Sequence, residues 1–275
     1  MIPTSCHDAR DHNSVNQHVS DFNRATAKLT GTPLPPGVMP VDDDDIAWSE
    51  GHANFLSLLS QEETDDLLSN ARIISLRPRD HLFQAGDQSH DAYIVYDGCI
   101  RLFQLSPTGK ETILWFNFPG ELFGIAEIWS RSHRQVYAAA NEATRVYSIR
   151  RQDFIRFLGA HPEAALKAIG ILSARVRALG QTLGGLASEN VETRIARLLF
   201  RFAAISAATR CPVGSTDGEL CVKVRLRHQD IANLIGASRQ TVTTTLLELR
   251  KRGALRLVDQ HIHIVQAERL RECFD

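Results

Sequence analysis

At 275 residues, 43% hydrophobic and 23% charged, the chain has the make-up of a globular protein with room for about two domains and a tail. No run approaches the roughly 18 apolar residues of a membrane span. Met1-Ile2-Pro3-Thr4-Ser5-Cys6-His7-Asp8 lacks the basic-then-apolar order of an export signal, so a cytoplasmic protein is expected. The cysteines, Cys6, Cys99, Cys211, Cys221 and Cys273, are odd in number and scattered. That usage fits reduced thiols rather than a disulfide framework. A net charge of −1 hides an asymmetry: residues 1–50 hold 8 acids against 3 bases, and residues 190–275 hold 14 Lys and Arg against 9 acids.

Residues 1–48 read as a disordered or loosely attached tail. Polar residues dominate it, and Pro33-Leu34-Pro35-Pro36-Gly37 cannot sit inside a helix. Asp42-Asp43-Asp44-Asp45 reads as a solvated like-charge block, since nothing there matches a calcium loop. His52 to Ala71 shows a short helical pattern carried by Phe55, Leu58, Leu59, Leu67 and Leu68. From Ile73, short β-type runs alternate with Gly86, Gly98, Gly109 and Gly120. The runs are Ala92–Tyr96, Ile100–Leu105, Thr112–Phe116, Gln135–Ala140 and Arg145–Ile149. This rhythm predicts an antiparallel sandwich or β-roll, with hairpin turns at Asp97-Gly98 and Thr108-Gly109.

Helix returns near Arg151, and Pro162 can open a long helix at its first turn. Ile169, Leu172, Val176, Leu179, Leu183 and Leu186 alternate in steps of three and four, an a/d seam that predicts dimerisation. Arg175, Arg177, Gln181 and Ser188 flank it, and Gly184-Gly185 should weaken the helix near its end. Packing on the chain's own core is the alternative. A further amphipathic helix runs from about Val191 to Ala208. Cys211-Pro212-Val213-Gly214-Ser215 is a loop before a strand at Leu220 to Val224.

The stretch from Val224 to Arg250 reads as two short helices. Ile231, Ala232, Leu234 and Ile235 give the first an apolar face, and Val242, Leu246 and Leu249 do so for the second. Gly236 can end the first helix in the left-handed conformation, and Ser238 can cap the second. Arg239, Gln240, Thr243 and Thr244 then face outward, as in a helix-turn-helix that reads base edges. Ser238, Thr241, Arg225, Arg227, Arg250, Lys251 and Arg252 are the phosphate candidates. Leu255–Val258 and Ile262–Val265, around a turn at Asp259-Gln260, form a hairpin wing.

This order resembles the Crp/Fnr family, that of the cyclic AMP receptor protein and the fumarate-nitrate regulator, over about residues 50–275. The most specific segment is Asp230-Ile231-Ala232 with Gly236, Ser238-Arg239 and Thr241-Val242. Glu121-Leu122-Phe123-Gly124 looks like the family's strand-turn, and Thr193–Leu199 like its helix after the hinge. The resemblance implies an α+β chain. Residues 49–157 would be a cyclic-nucleotide-binding-like β-roll, 158–190 a dimerisation helix and 191–275 a winged helix-turn-helix. It also implies a homodimeric transcription activator or repressor, with double-stranded DNA as partner and contact with RNA polymerase if it activates.

The cyclic AMP branch keeps a ribose-binding glutamate where this chain has Ile125, after Gly124. It keeps an Arg-Ser pair where Arg134-Gln135 stands, and a Thr-Ser pair where Leu179 and Gly180 stand. Cyclic AMP is therefore not expected, although Arg134 can still hold an anion or pair on the surface. The iron-sulfur branch needs clustered N-terminal cysteines, and Cys6 stands alone. His81, His90 and His133 leave haem open, though each reads as an exposed loop histidine. Cys99 reads as a buried thiol before a redox sensor. A cupin-like metal enzyme would need a His-x-His in the barrel, but His261-x-His263 lies in the wing, where it marks strand alternation. An interaction protein that dimerises without DNA is the third reading.

Overall fold

The computed structural model describes residues 43–130, 132–206 and 219–274. The polar stretch 1–42, with Cys6 and the proline cluster, and the loop 211–215 lie outside them. The acidic run does not close a tail. Helix α1 spans Asp43–Gly51, and Ala47 and Trp48 are buried on it.

The helical pattern after His52 is divided in two. Helix α2 covers Phe55–Leu58 under an Asn54 cap, and α3 covers Gln61–Leu68 under a Ser60/Glu63 capping box. Eight strands follow: β1 Arg72–Leu76, β2 His81–Phe83, β3 Asp91–Asp97, β4 Ile100–Leu105, β5 Glu111–Asn117, β6 Leu122–Phe123, β7 Tyr137–Ala140 and β8 Thr144–Arg150. They form two antiparallel sheets, β1-β8-β3-β6 and β2-β7-β4-β5. Phe83, Tyr93, Val95, Ile100, Phe123, Ala138, Ala140 and Val146 fill one buried cluster of this β-roll. The Asp97-Gly98 turn needs its glycine: φ is +82°, and a Cβ there would lie 2.5 Å from the Ala143 carbonyl oxygen.

Helix α4 spans Arg151–Ala160. Helix α5, Pro162–Ser188, is 27 residues long with proline in its first turn and runs through Gly184-Gly185. Its buried face is Ala164, Ala168, Ile171, Ala174 and Ala178. Small side chains at this spacing let the helix lie close to α1. Helix α6, Val191–Ser206, leads to the third sheet, ordered β10-β11-β9 from Leu255–Val258, His261–Ile264 and Leu220–Val222. Because β11 is central, all four of its residues are buried, and His261 and His263 do not alternate in exposure as the sequence suggested. Asp259 and Gln260 make the wing turn with φ of 46° and 68°. Helices α7, His228–Ile235, and α8, Arg239–Lys251, complete the helix-turn-helix, and α9, Ala267–Arg271, follows the wing.

The β-roll and the C-terminal part share one apolar cluster. Trp48, Trp115 and Phe116 join Phe202, Ile231 and Leu249 in it. Among the described residues no helix is long and apolar enough to cross a membrane.

Candidate functional site

In the helix-turn-helix, the turn is built as its sequence requires. Gly236 takes φ 65° and ψ 30° at the end of α7, and Ser238 Oγ accepts from the Thr241 backbone N–H at 3.0 Å. Val242, Leu246 and Leu249 are buried, which fixes the rotation of α8 and leaves Arg239, Gln240, Thr241 and Thr244 exposed. Thr243 is half-buried. Its hydroxyl donates to the Arg239 carbonyl at 2.8 Å and stands 2.8 Å from His228 Nδ1. One hydroxyl has one proton, so His228 Nδ1 must be the donor of that second bond. Burial first, then the charges of Arg239 and Arg250, hold His228 below the usual imidazole pKa. Thr244 donates to the Gln240 carbonyl at 3.2 Å. Both threonines therefore keep only acceptor capacity for a ligand.

The phosphate candidates divide. Arg225, Arg250 and Lys251 are exposed. Arg227 instead grips Asp230 with two donors, at 2.9 and 2.8 Å, and Arg252 reaches Glu192 at 2.6 Å. Ser238 and Thr241 hydroxyls hydrogen-bond to each other at 2.7 Å. Arg225, Arg227, Arg250 and Arg256 ring an apolar cavity of about 220 Å³ between the end of α8 and the wing.

The residues expected to form one effector pocket are divided too. Gly124, at φ +70°, lies against Tyr93 and Arg134. Arg134 is not a surface group; it is 2% exposed. It donates to the carbonyls of Gly124 at 2.5 Å and Asp91 at 2.6 Å and faces Glu127 at 3.4 Å. Phe83 and Tyr93 stack beneath it, with ring centroids 5.7 Å apart. Ile125 is buried in an apolar cluster with Ile94 and Leu122. Gln135 is exposed and donates to the His133 carbonyl at 3.0 Å. Leu179 lines a different cavity, beside Trp48 and Leu198, and Gly180 is exposed.

On α5 the seam expected to pair two copies faces outward. Ile169 is 57% exposed, Val176 70%, Leu183 67% and Leu186 38%, with Leu172 and Leu179 half-buried. This stripe is one residue out of phase with the buried alanine stripe, so α5 carries two apolar faces. Arg175 belongs to the buried one, not to the seam's flank. It donates to the Gly51 and Leu122 carbonyls and to Glu121 Oε2, at 2.9, 2.8 and 3.1 Å. Arg177 pairs with Glu50 at 2.7 Å.

Sequence reasoning missed α1 and its contacts. Trp48 stands 4.7 Å from Trp115 and 5.8 Å from Phe202, ring to ring. His52 Nδ1 lies 2.8 Å from Glu121 Oε1, and its ring stacks on Trp115 at 4.3 Å. Between the two parts of the chain, Arg101 of β4 lies 3.2 Å from Glu111 and 3.8 Å from Asp230. The one available signal was the apolar pair Ala47-Trp48 after an acidic run.

Other chemistry is sparse. Among the described residues no group of three or more His, Cys, Asp or Glu is placed to hold a metal ion. His81, His90 and His133 are exposed. Cys99 and Cys273 are free thiols. Burial holds the Cys99 thiol well above its usual pKa, which disfavours the reactive thiolate.

Comparison with known proteins agrees with this geometry. Residues 73–161 match the cyclic nucleotide-binding domain model, and residues 193–273 match the Crp-like helix-turn-helix domain model. A CRP-like cAMP-activated global transcriptional regulator of Mycobacterium tuberculosis is 28% identical over 194 residues, 70% of this chain and 84% of that protein. The cyclic AMP receptor protein of Thermus thermophilus is 28% identical over 214 residues, 78% and 93% of the two chains. A mutant of CooA from Carboxydothermus hydrogenoformans has the same fold, with a TM-score of 0.64, 23% identity, and coverage of 80% of this chain and 94% of that one.

Proposed function

The chain belongs to the Crp/Fnr family of transcription regulators, and on that premise we propose that it works as a homodimer on a palindromic DNA site. The observation that carries this reading is the pairing of two exposed features: the apolar seam of α5 and the polar tip of α8. A side chain of valine or leucine size gains about 1.5–3 kcal/mol on full burial. A second copy of the seam is the natural cover for Ile169, Val176, Leu183 and Leu186. A two-fold dimer then presents two copies of α8, which reads half-sites one helical turn apart. Arg239 would read guanine O6 and N7, with Gln240 and Thr244 beside it as weaker readers. Arg225, Arg250 and Lys251 would hold phosphates. RNA polymerase is the further partner if the chain activates.

The signal is other than cyclic AMP. The β-roll does not fit that nucleotide, because Arg134 is already committed to Glu127 and two carbonyls. Ile125 offers no acceptor to a ribose, and an aromatic stack fills the space below. Selection of duplexes from a random pool, followed by anisotropy titration, tests the proposal. Enrichment of an inverted repeat is expected; a pool without two-fold symmetry overturns it.

A further inference from the structure

His228 is the first residue of α7 and is half-buried against α8. Its Nδ1 stands 2.8 Å from the Thr243 hydroxyl, and that hydroxyl gives its one proton to the Arg239 carbonyl at 2.8 Å. The neutral imidazole is thereby held in one tautomer, with the hydrogen on Nδ1 and a lone pair on Nε2. Nε2 has no protein partner among the described residues and is open to solvent. On that side the neutral ring accepts a hydrogen bond and donates none.

The surroundings are those of a phosphate contact. His228 lines the cavity of about 220 Å³ together with Arg225 and Arg250, the exposed cations placed on phosphates above. The first helix of a helix-turn-helix crosses the DNA backbone, and helix N-termini are regular phosphate contacts. A phosphate oxygen only accepts. It meets the Nε2 lone pair of a neutral ring as a repulsion, and the N–H of a protonated ring as a charge-assisted hydrogen bond.

We propose that His228 is a DNA phosphate contact made only by the imidazolium, so that each chain takes up a proton at this residue as it binds DNA. The neighbouring charges keep the ring neutral until then. Arg239 and Arg250 face it from α8 and, after burial, hold its pKa below the usual imidazole value. Arg225 and Arg227 ahead of α7, and Arg256 on β10, line the same cavity and are cations too. Asp230 on α7 and Glu111 on β5 are held by Arg227 and Arg101. A DNA phosphate is then the anion that reverses this balance and raises the pKa in the complex. Affinity is therefore greatest below the free-state pKa and falls as pH rises through the value in the complex. The inference rests on the regulator reading above.

The test titrates the full chain, His228→Gln and His228→Arg with selected and scrambled duplexes at pH 6 and pH 8 and constant salt. Circular dichroism checks that both variants fold. Calorimetry at pH 7 in two buffers of different ionisation heat counts the protons taken up. The parent should bind severalfold tighter at pH 6 than at pH 8, on both duplexes alike, because a phosphate carries no sequence. His228→Gln should bind weakly at both pH values and take up fewer protons than the parent. His228→Arg, a fixed cation, should bind at pH 8 as tightly as the parent does at pH 6. A histidine with only a structural role would not be rescued in this way. A parent as flat with pH as His228→Gln, or equal proton uptake by the two, overturns the proposal. So does a pH dependence that persists in His228→Arg, and a pH effect confined to the selected duplex. A parent that binds neither duplex at either pH fails the regulator reading and the proposal together, whereas one that binds without pH dependence fails the proposal alone.

Discussion

The Arg134 guanidinium stands 4.3 Å from the centroid of the Phe83 ring, inside the β-roll. With Glu127 and two backbone carbonyls around them, both terminal nitrogens of the arginine are already engaged inside the core, and its Nε is buried without a hydrogen-bond partner. Cyclic AMP would have to displace these partners and the stacked rings together. Calorimetry should therefore show no heat of binding at micromolar cyclic AMP; a clear isotherm would reverse the assignment. Arg134→Ala should lose about 3–5 kcal/mol in urea unfolding, because Glu127 is left buried without its partner.

The seam prediction is sharpened by exposure. Val176 and Leu183 are 70% and 67% exposed, so aspartate at both leaves each folded chain nearly undisturbed. In a dimer those carboxylates would be buried unpaired, at several kcal/mol. Light scattering should report a monomer for the Val176→Asp/Leu183→Asp variant and a dimer for the parent. A double variant that stays dimeric at micromolar concentration would place the interface elsewhere.

His52 gives a pH dependence with a defined sign. Its burial holds its folded pKa below 6.5, despite Glu121 nearby. The unfolded chain therefore takes up a proton first as pH falls, so the stabilisation present above 6.5 is lost as pH drops through the folded value. Melting temperature should fall between pH 7 and pH 5 in the parent. The fall should be smaller in His52→Gln, whose amide can still donate to Glu121. Equal slopes in the two proteins would show that other groups set the acid limb.

Local signals made the fold readable. Glycine turns, the proline at the start of α5, and the Gly236-Ala237-Ser238 break each follow from backbone sterics or capping, which act within a few residues. Trp48, Arg175 and Asp230 were not readable for the opposite reason. Their partners lie 67, 54 and 129 residues away along the chain, at Trp115, Glu121 and Arg101. No periodicity encodes such pairings. Helix α5 shows the limit clearly: its leucine stripe announced itself, while the alanine stripe that packs it against α1 did not stand out as an apolar face. Arg134 misled because an arginine at a family binding position reads as a binding group until its neighbours are known.

The DNA interface yields a separable pair of outcomes. Arg239 is exposed at the first turn of a capped helix whose rotation is fixed by Val242, Leu246 and Leu249. Two donors on a rigid support suit guanine, so Arg239→Ala should cost about 1–3 kcal/mol on the selected duplex and flatten discrimination at one base pair. Lys251 sits in the last turn, away from the tip, and should act only through charge. Lys251→Ala should weaken selected and scrambled duplexes alike and lower the salt slope by about one unit. Arg252→Ala should change that slope less, because Glu192 already neutralises its guanidinium at 2.6 Å. Anisotropy titrations of the three variants at several salt concentrations separate these effects. Equal losses for Arg239→Ala on selected and scrambled DNA would remove it from the base-reading set. A full-unit slope change for Arg252→Ala would mean that the Glu192 pair opens when DNA binds.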